Sequence, residues 1–296
     1  MPSEKLETKD LKTKDLKTKG LKTDGLTRRQ LLAAAGIGGA ALLLAEGRAR
    51  ADEQEIAPLD LNAYKLVFDE NFDTLDVSSR GPGTRWIAHT PWNGDFGDAT
   101  FSDPRPSFPF TVDKGILRIE ARKTPDGWRS GLLCSADATG GGFSQQYGYF
   151  EASIKLPAGP GLWPGFWLNT MVPKGSPDDG VEIDVLEQYG QFPHAFESHV
   201  TVWPRDKSKA RSLRKVQDVR SGLLSEGFHT YGVRVEPDYV TMYLDGIAFW
   251  HTPTPAEHKN KLMILINLAM GSGWPIDRTP NPSYMYVDYI RAYAKH

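Results

Sequence analysis

The sequence predicts an all-β protein, a sandwich of two antiparallel sheets packed face to face. Apolar and polar residues alternate with the two-residue period of a strand in several short stretches, such as 115–121, 150–156 and 228–235. The 21 prolines and 29 glycines fall mostly in short clusters between such stretches, where turns are expected. A chain of 296 residues is also long enough to bury the core of one large β domain.

The first 51 residues lack this pattern, and we expect them to lie outside the folded domain. Residues 1–26 repeat leucine, lysine and threonine every five residues, which rotates the leucines around a helix and predicts a disordered basic extension. In residues 27–51, Arg28 and Arg29 precede an apolar run that is too short to span a membrane, and 49–51 (Ala-Arg-Ala) fits a cleavage site. The segment resembles a bacterial twin-arginine export signal, with an ordinary secretory signal or an uncleaved anchor as the alternative.

The remaining chain divides into a linker and one domain. Residues 52–63 are predicted to be the linker, and residues 64–296 the domain. An exported protein would be periplasmic or extracellular, with no membrane attachment once the signal is cleaved. Cys134 is the only cysteine, so no disulfide can form within the chain, and we expect a monomer.

The charge is divided unevenly along the chain. Residues 1–51 hold 11 of the 35 lysines and arginines and 6 of the 37 acidic residues. Residues 52–296 therefore hold 24 basic and 31 acidic residues, a formal charge of −7. A negatively charged domain argues against nucleic acid or an anionic membrane surface as its partner.

Four stretches of the domain carry more specific structural predictions. Residues 90–109 are polar, rich in proline and glycine and longer than a hairpin requires, which predicts a loop over a cleft. Residues 207–212 have the composition of a basic polar loop. Within 240–249, Asp245-Gly246 predicts a hairpin with a type I′ turn. The unbroken apolar run 262–270 predicts a strand at the centre of a sheet.

The most informative stretch holds three acids among aliphatic residues: Glu182, Asp184 and Glu187. In a regular strand the first two acids face the same way, whereas Glu187 faces the other way. One extra residue, a β-bulge at Val185 or Leu186, would return Glu187 to the shared face. Bulges commonly re-aim side chains beside active sites.

Three acids on one face suit the cleavage of a glycosidic bond, which needs one ionised and one protonated carboxyl group. Spacing alone also fits an ordinary strand with one wet face, or a cation site. Aromatic residues on both sides favour a sugar cleft, because the apolar faces of pyranose rings stack on indole rings. Trp163 and Trp167 precede the acids, and His199 and Trp203 follow them.

Residues 182–187 have the pattern E-x-D-x-x-E and resemble the catalytic signature of glycoside hydrolase family 16, in the bulge-containing form of laminarinase-like β-glucanases. Four further segments are similar to segments of that family and occur in the same order. They are Tyr147–Ala152, Gly161–Trp167, Leu265–Gly271 with the following Trp274-Pro275, and Val287–Tyr293.

The resemblance implies a β-jelly-roll sandwich whose substrate cleft lies on the concave sheet. It also implies an exported retaining endo-glycosidase, in which Glu182 is the nucleophile and Glu187 the general acid/base. Asp184 would keep the pKa values of these two glutamates apart. The expected substrate is a polysaccharide, either a β-1,3-glucan or a mixed β-1,3/1,4-glucan. A galactan or exopolysaccharide depolymerase, a transglycosylase and a non-catalytic carbohydrate-binding protein are the alternatives.

Further residues are candidates for contact with the sugar or with a metal. Seven side chains are expected in the substrate cleft: Trp92, Asn93, Trp163, His199, Trp203, Asn267 and Trp274. Asn267 is included because an amide inside an apolar run needs hydrogen-bond partners. Catalysis by two carboxyl groups requires no cofactor. The resemblance nevertheless implies a structural calcium away from the cleft, for which Glu70 and Asp288 are the candidate ligands.

Overall fold

The computed structural model describes residues 58–92 and 94–296. The predicted extension, the export signal, residues 52–57 of the linker and Asn93 lie outside these residues. No helix in the described part of the chain is long and apolar enough to cross a membrane.

Regular structure in the described chain is almost entirely β, apart from one four-residue helix, α1 (Leu223–Glu226), and two 3₁₀ turns. The strands are β1 (Tyr64–Glu70), β2 (Val77–Ser78), β3 (Trp86–Ile87), β4 (Thr100–Phe101), β5 (Phe110–Asp113), β6 (Ile116–Thr124), β7 (Gly127–Ser130), β8 (Leu132–Cys134), β9 (Gly148–Lys155), β10 (Leu162–Thr170), β11 (Gly180–Glu187), β12 (Ala195–Trp203), β13 (Arg211–Asp218), β14 (His229–Val235), β15 (Tyr239–Leu244), β16 (Ile247–Pro253), β17 (Leu262–Met270) and β18 (Ser283–Lys295).

The strands form two sheets, which we call the back sheet and the cleft sheet. The back sheet has the order β16-β15-β14-β9-β18-β6-β7-β4, with β1 paired to β18 and β5 paired to β6. The cleft sheet has the order β13-β12-β11-β10-β17-β8-β3-β2. Neighbours that are distant in sequence, such as β10 with β17 and β9 with β18, give the crossing connections of a jelly-roll sandwich and confirm the predicted fold class.

The main core lies between the two sheets and follows from the alternation of side chains along their strands. In β11, Val181, Ile183 and Val185 join the core, while the acids between them emerge on the opposite face. Phe150 of β9 and Ile290 of β18 are fully buried on the facing side. Burial of each such side chain contributes about 1.5–3 kcal/mol. This packing fixes the face on which the acids of β11 emerge.

Strand β17 is buried on both faces, as its unbroken apolar sequence predicts. Ile264 belongs to the main core, whereas Leu265 joins a second apolar cluster that includes Trp167 and Phe101. Phe96, in the loop after β3, packs edge-on against Phe101 with their ring centroids 5.1 Å apart. The loop predicted to cover a cleft therefore lies over this part of the cleft sheet.

The predicted hairpin is confirmed. Strands β15 and β16 pair through the turn Asp245-Gly246, whose φ angles are 50° and 77°. Positive φ at both central residues defines a type I′ turn, and glycine adopts this conformation without a Cβ clash.

Several features depart from the sequence predictions. Part of the predicted basic loop is the start of β13, an edge strand whose eight residues are nearly all exposed and therefore show no alternating pattern. Two short pairs, β2 with β3 and β4 with β7, are parallel, whereas the other strand pairs are antiparallel. Each parallel pair involves two residues per strand, too few to give a periodic signal. Within the predicted linker, Leu61–Ala63 form a 3₁₀ turn that the Asp60 side chain caps.

Candidate active site

A β-bulge in β11 brings the three predicted acids onto one face of the cleft sheet. Asp184 pairs with His199 of β12. The next acid, Glu187, pairs with Glu197, so three residues of β11 advance against two residues of β12. On the β10 side the register passes over Val185. The bulge predicted from the spacing of the acids is thus confirmed.

The carboxyl groups of Glu182, Asp184 and Glu187 line one cavity of about 410 Å³ on the outer face of the cleft sheet. Side chains of the neighbouring strands β10 and β12 that point to the same face of the sheet form much of the remaining cavity wall. The aromatic and basic side chains that line this cavity are Phe96, Trp163, Trp167, Tyr189, His199 and Trp203. The structure therefore brings four of the seven predicted sugar contacts, including Asn267, into the same cavity as the acids.

Glu187 is held by three N–H or O–H donors. The indole Nε1 of Trp163 and the hydroxyl of Tyr189 donate to its Oε1 at 2.8 Å and 2.9 Å. His199 Nε2 lies 3.1 Å from its Oε2. Burial raises the pKa of Glu187, but the hydrogen bond and charge of His199, with the hydrogen bonds from Tyr189 and Trp163, together outweigh burial, and the net pKa is lowered.

Glu182 has a different environment at the other side of the cavity. The amide of Asn169, on β10, donates to its Oε2 at 2.9 Å. Burial raises the pKa of Glu182 to about 7, because hydrogen bonds from Trp203 and Asn169 offset only part of the cost of burying the charge. The negative charge of Glu187 raises it further.

Asp184 lies between these two acids on the shared face. Burial is the main cause that raises its pKa well above the usual range, and the charges of Glu182 and Glu187 add to this effect. The raised pKa favours the protonated form of Asp184, which can donate a hydrogen bond. A protonated neighbour allows Glu182 to ionise, so the two groups titrate as a coupled pair.

His199 is the basic side chain that lines the cavity. Burial lowers its pKa, but the hydrogen bond and charge of Glu187 and the charge of Glu197 outweigh burial, so the net pKa is raised. Both shifts favour an ion pair between a Glu187 carboxylate and a protonated His199. A general acid must be protonated when it acts, and His199 is the basic side chain in contact with Glu187.

The aromatic residues occupy different parts of the cleft. Trp163 stacks on Tyr189 with ring centroids 6.3 Å apart and planes 15° apart, beside Glu187. Trp92 and Trp203, 41% and 45% exposed, line a neighbouring cavity of about 290 Å³ together with Asn169 on the side of Glu182. Both lie where an extended sugar chain could stack.

Two predicted contacts have another role or position. The buried Asn267 amide oxygen accepts from Trp167 Nε1 at 2.8 Å, and its nitrogen donates to the Trp163 carbonyl at 3.4 Å, so its partners are the protein. Trp274 is 40% exposed and packs edge-on against Phe192, with centroids 5.1 Å apart, outside the cavity of the acids. Asn93 lies outside the described residues.

Sequence reasoning missed several residues that contact the three acids or their partner His199. Asn169 shares the parity of Trp163 and Trp167 on β10, and this signal could have identified it. Tyr189 follows the end of β11, and its position depends on the chain path after the bulge. Glu197, on β12, contacts His199 and carries an ion pair with β13 that no local pattern predicts.

Of the two residues predicted to bind calcium, Glu70 already has several hydrogen-bond donors and Asp288 has one weak contact. Oε1 of Glu70 accepts from the backbone N–H of Phe72, and Oε2 accepts from Arg85 and from the Trp86 indole, so N–H donors already occupy its lone pairs. Asp288 accepts a long hydrogen bond, 3.5 Å, from Ser153. The structural calcium stays a prediction, which metal analysis of the purified protein tests.

Among the described residues, one group of three side chains is close enough to share a metal ion: Glu187, Glu197 and His199. The donor set does not fit a metal. Arg214 binds both oxygens of Glu197, and two hydrogen-bond donors occupy Oε1 of Glu187. The group is an ion-pair network whose positive charges come from the protein.

Comparison with known proteins gives a consistent assignment. The family model described as Glycosyl hydrolases family 16 matches residues 110–291. Endo-1,3-1,4-beta-glycanase ExsH of Rhizobium meliloti is 29% identical over 263 residues, which cover 80% of this chain and 53% of that protein. The chain thus spans about half the length of this curated relative. Beta-glucanase of Rhodothermus marinus is 25% identical over 259 residues, covering 78% of this chain and 85% of that protein.

Solved structures match nearly the whole described domain. The laminarinase catalytic domain of Thermotoga maritima has a TM-score of 0.62 at 24% identity, covering 79% of this chain and 99% of that one, and this likeness shows the fold. The E144S mutant of SCLam, a non-specific endo-beta-1,3(4)-glucanase, has a TM-score of 0.63 at 25% identity, covering 81% and 98%. With the family model matching more than half of its residues, the chain belongs to glycoside hydrolase family 16.

Proposed function

We propose that this protein is a retaining endo-β-glycanase that hydrolyses a β-1,3-glucan or a mixed β-1,3/1,4-glucan. The observation that carries the proposal is the bulged strand β11, whose three acids share the face of an aromatic-lined cavity. Retaining hydrolysis needs two carboxyl groups of opposite protonation on either side of the bond. The relatives described as endo-1,3-1,4-beta-glycanase and beta-glucanase support a glucan as the polysaccharide.

In the first step, the Glu182 carboxylate attacks the anomeric carbon while Glu187 protonates the glycosidic oxygen. The C1–O bond to the leaving sugar breaks, and an ester bond forms between C1 and Glu182. In the second step, Glu187 takes a proton from water, the water oxygen bonds to C1, and the ester breaks. Protonated Asp184 stabilises the Glu182 carboxylate each time it is free.

The shape of the cleft supports attack within a chain, because there is room for sugar on both sides of the acids. Trp92 and Trp203 line a further cavity on the side of Glu182. On the side of Glu187, Tyr189 and Phe192 line another cavity of about 210 Å³. An endo-acting enzyme needs binding positions in both directions from the bond that it cleaves.

The decisive experiment incubates the purified protein with a panel of polysaccharides: a soluble β-1,3-glucan, a cereal mixed-linkage glucan, a galactan and an acidic exopolysaccharide. Release of β-anomeric products, followed by proton NMR before mutarotation, would support the retaining mechanism. A rapid fall in chain length, with oligosaccharides of several sizes as early products, would support endo action. Activity on the galactan alone, or inversion at C1, would refute the proposal.

Two variants test the assignment of roles. Glu182→Gln and Glu187→Gln should each lower kcat by about 100-fold or more, because each loses the nucleophile or the proton donor while keeping its shape. Azide should restore activity to Glu187→Gln on an aryl glycoside with an activated leaving group, since the first step then needs no proton. Glu226→Gln, at an exposed acid far from β11, is the matched control. Near-normal activity in both cleft variants would contradict the assignment.

We further propose that residues 27–51 direct export by the twin-arginine route, so that the mature protein acts on its polysaccharide in the periplasm or the medium as a monomer. The support is the sequence pattern of Arg28 and Arg29 before a short apolar run. These residues lie outside the described part of the chain.

A further inference from the structure

We propose that Glu197, held in place by Arg214, is a positioning residue for the proton that the reaction needs. Glu197 would act through His199, which it keeps charged and in contact with Glu187. The inference rests on the function proposed above and extends it to strands β12 and β13, outside the three-acid strand.

The four side chains form one continuous row of contacts across β11, β12 and β13. His199 Nε2 lies 3.1 Å from Oε2 of Glu187 and 3.2 Å from Oε2 of Glu197. The Arg214 guanidinium donates to both carboxylate oxygens of Glu197, with Nε 2.5 Å from Oε2. The side chains of Glu187, His199 and Glu197 are 15–18% exposed, whereas that of Arg214 is 55% exposed. The row therefore connects the cleft with solvent.

The bulge explains why such a row is needed. By moving Glu187 onto the cleft face, it sets that acid directly opposite Glu197. Like charges that face each other across two strands are destabilising. Two cations offset them: His199 lies between the two carboxylates, and Arg214 pairs with His199 from the next strand. When all four groups are ionised, their charges cancel.

The two cations are not equivalent, because only His199 can give up its proton near neutral pH. Arg214 fixes the Glu197 carboxylate at two points. A fixed carboxylate beside His199 favours the charged imidazole and orients Nε2 toward Glu187. The other ionisable groups that face His199 are Glu182 and Asp184 on β11 and Tyr189 beyond that strand.

The proton can be followed through both steps. At rest His199 is charged and Glu187 is ionised. The proton passes from Nε2 to the Glu187 carboxylate and then to the glycosidic oxygen, as C1 leaves that oxygen and bonds to Glu182. The leaving sugar departs as an alcohol, and His199 is neutral. In the second step Glu187 takes a proton from the attacking water and returns it to His199, while the ester to Glu182 breaks.

The test is Glu197→Gln, with kcat/KM measured against pH on a β-glucan and on an aryl β-oligoglucoside with an activated leaving group. Glutamine keeps the shape but removes the charge, so the alkaline limb of the glucan profile should move to lower pH by about one unit. On that limb kcat/KM would fall about tenfold. The activated glycoside needs no proton, so its first-step rate should stay near the wild-type value.

Two further variants separate this role from a structural one. Glu257→Gln breaks a comparable ion pair, with Arg211 at the other end of β13, and should leave the profile unchanged. Glu197→Asp restores the charge and should recover part of the lost alkaline activity. If Glu197→Gln does not fold, Arg214→Lys is the substitute test, because lysine keeps the positive charge but lacks the planar group that donates to both oxygens of Glu197. Arg214→Lys should then slow the glucan reaction more than the reaction of the activated glycoside.

The outcomes are distinguishable. An unchanged pH profile in Glu197→Gln, or equal losses on both substrates, would mean that Glu197 only holds β13 to β12, and the inference would fail. Equal losses on both substrates in Arg214→Lys would overturn it in the same way. A wild-type protein with no activity on any β-glycan would instead refute the proposed function.

Discussion

Replacing Glu182 with glutamine should favour the folded protein more at pH 8 than at pH 4.5, although the same change is expected to lower kcat by about 100-fold or more. Burial raises the folded-state pKa of Glu182 to about 7 from its ordinary value of 4.5. Below pH 4.5 the group is protonated in both the folded and the unfolded state. Between pH 4.5 and 7 the unfolded chain releases the proton while the folded protein retains it, so the free energy of unfolding falls as pH rises.

The size of the effect follows from the pKa shift. Each unit is worth about 1.4 kcal/mol, so the shift from 4.5 to about 7 corresponds to about 3 kcal/mol by pH 8. Coupling to Asp184 and water in the open cleft reduce this, and we expect about 1–3 kcal/mol. Glutamine carries no charge, so the variant avoids this fall in the free energy of unfolding. Glutamine also replaces one carboxylate oxygen with an NH2 group, so one acceptor for the hydrogen bonds from Asn169 and Trp203 is lost. This cost is the same at pH 4.5 and pH 8, and it cancels when the two pH values are compared.

The assay is urea unfolding followed by tryptophan fluorescence, for wild type and Glu182→Gln, at pH 4.5 and pH 8. The free energy of unfolding of the variant minus that of wild type should be larger at pH 8 than at pH 4.5 by about 1–3 kcal/mol. Glu257→Gln is the control with the opposite sign, because the Arg211 hydrogen bond lowers the pKa of Glu257. That variant should match wild type at acidic pH and be less stable at neutral pH. An equal difference for Glu182→Gln at both pH values would refute the reasoning.

Three other predictions concern activity and export. The kcat/KM of wild type should rise through about pH 7, because Glu182 ionises there. It should fall again at higher pH as His199 loses its proton, and this alkaline limb should lie above the ordinary His pKa of 6.5, because the pKa of His199 is raised. A profile without the acidic limb would contradict this prediction. Trp203→Ala should raise KM about tenfold, equivalent to about 1.4 kcal/mol, whereas Trp203→Phe should keep KM and move the acidic limb upward, because it removes a hydrogen bond to Glu182. Replacing Arg28 and Arg29 with lysine should retain the precursor in the cell, as immunoblotting of cell fractions would reveal; normal secretion would favour the general route.

The sequence predicts those parts of the site that depend on one strand at a time. Alternation and one extra residue were enough to predict the bulge that aligns Glu182, Asp184 and Glu187, and Asp245-Gly246 predicted its hairpin. In each case the decisive geometry is local, because the period of a strand or the φ angles of two residues determine it.

Relations between strands could not be predicted in this way. The contact of Glu197 with Arg214 depends on the register between β12 and β13, and β13 itself is too exposed to show a period. Asn267 was expected to face the sugar because it is a polar residue in an apolar run. Its partners are instead two tryptophans of β10, and only the pairing of β17 with β10 reveals them.

Among residues 58–92 and 94–296, strand β13 ends the cleft sheet, and an edge strand presents backbone N–H and C=O groups that another chain could pair with. Its exposed Leu213 and Val216 would favour such association, whereas Arg211, Arg214 and Lys215 oppose it, because stacking two copies would bring like charges together. Any attempt to redesign the cleft by neutralising these cations would therefore expose the enzyme to self-association. In this proposal the Arg214 guanidinium affects both solubility and catalysis, so variants of Arg214 should be assayed for self-association as well as for activity.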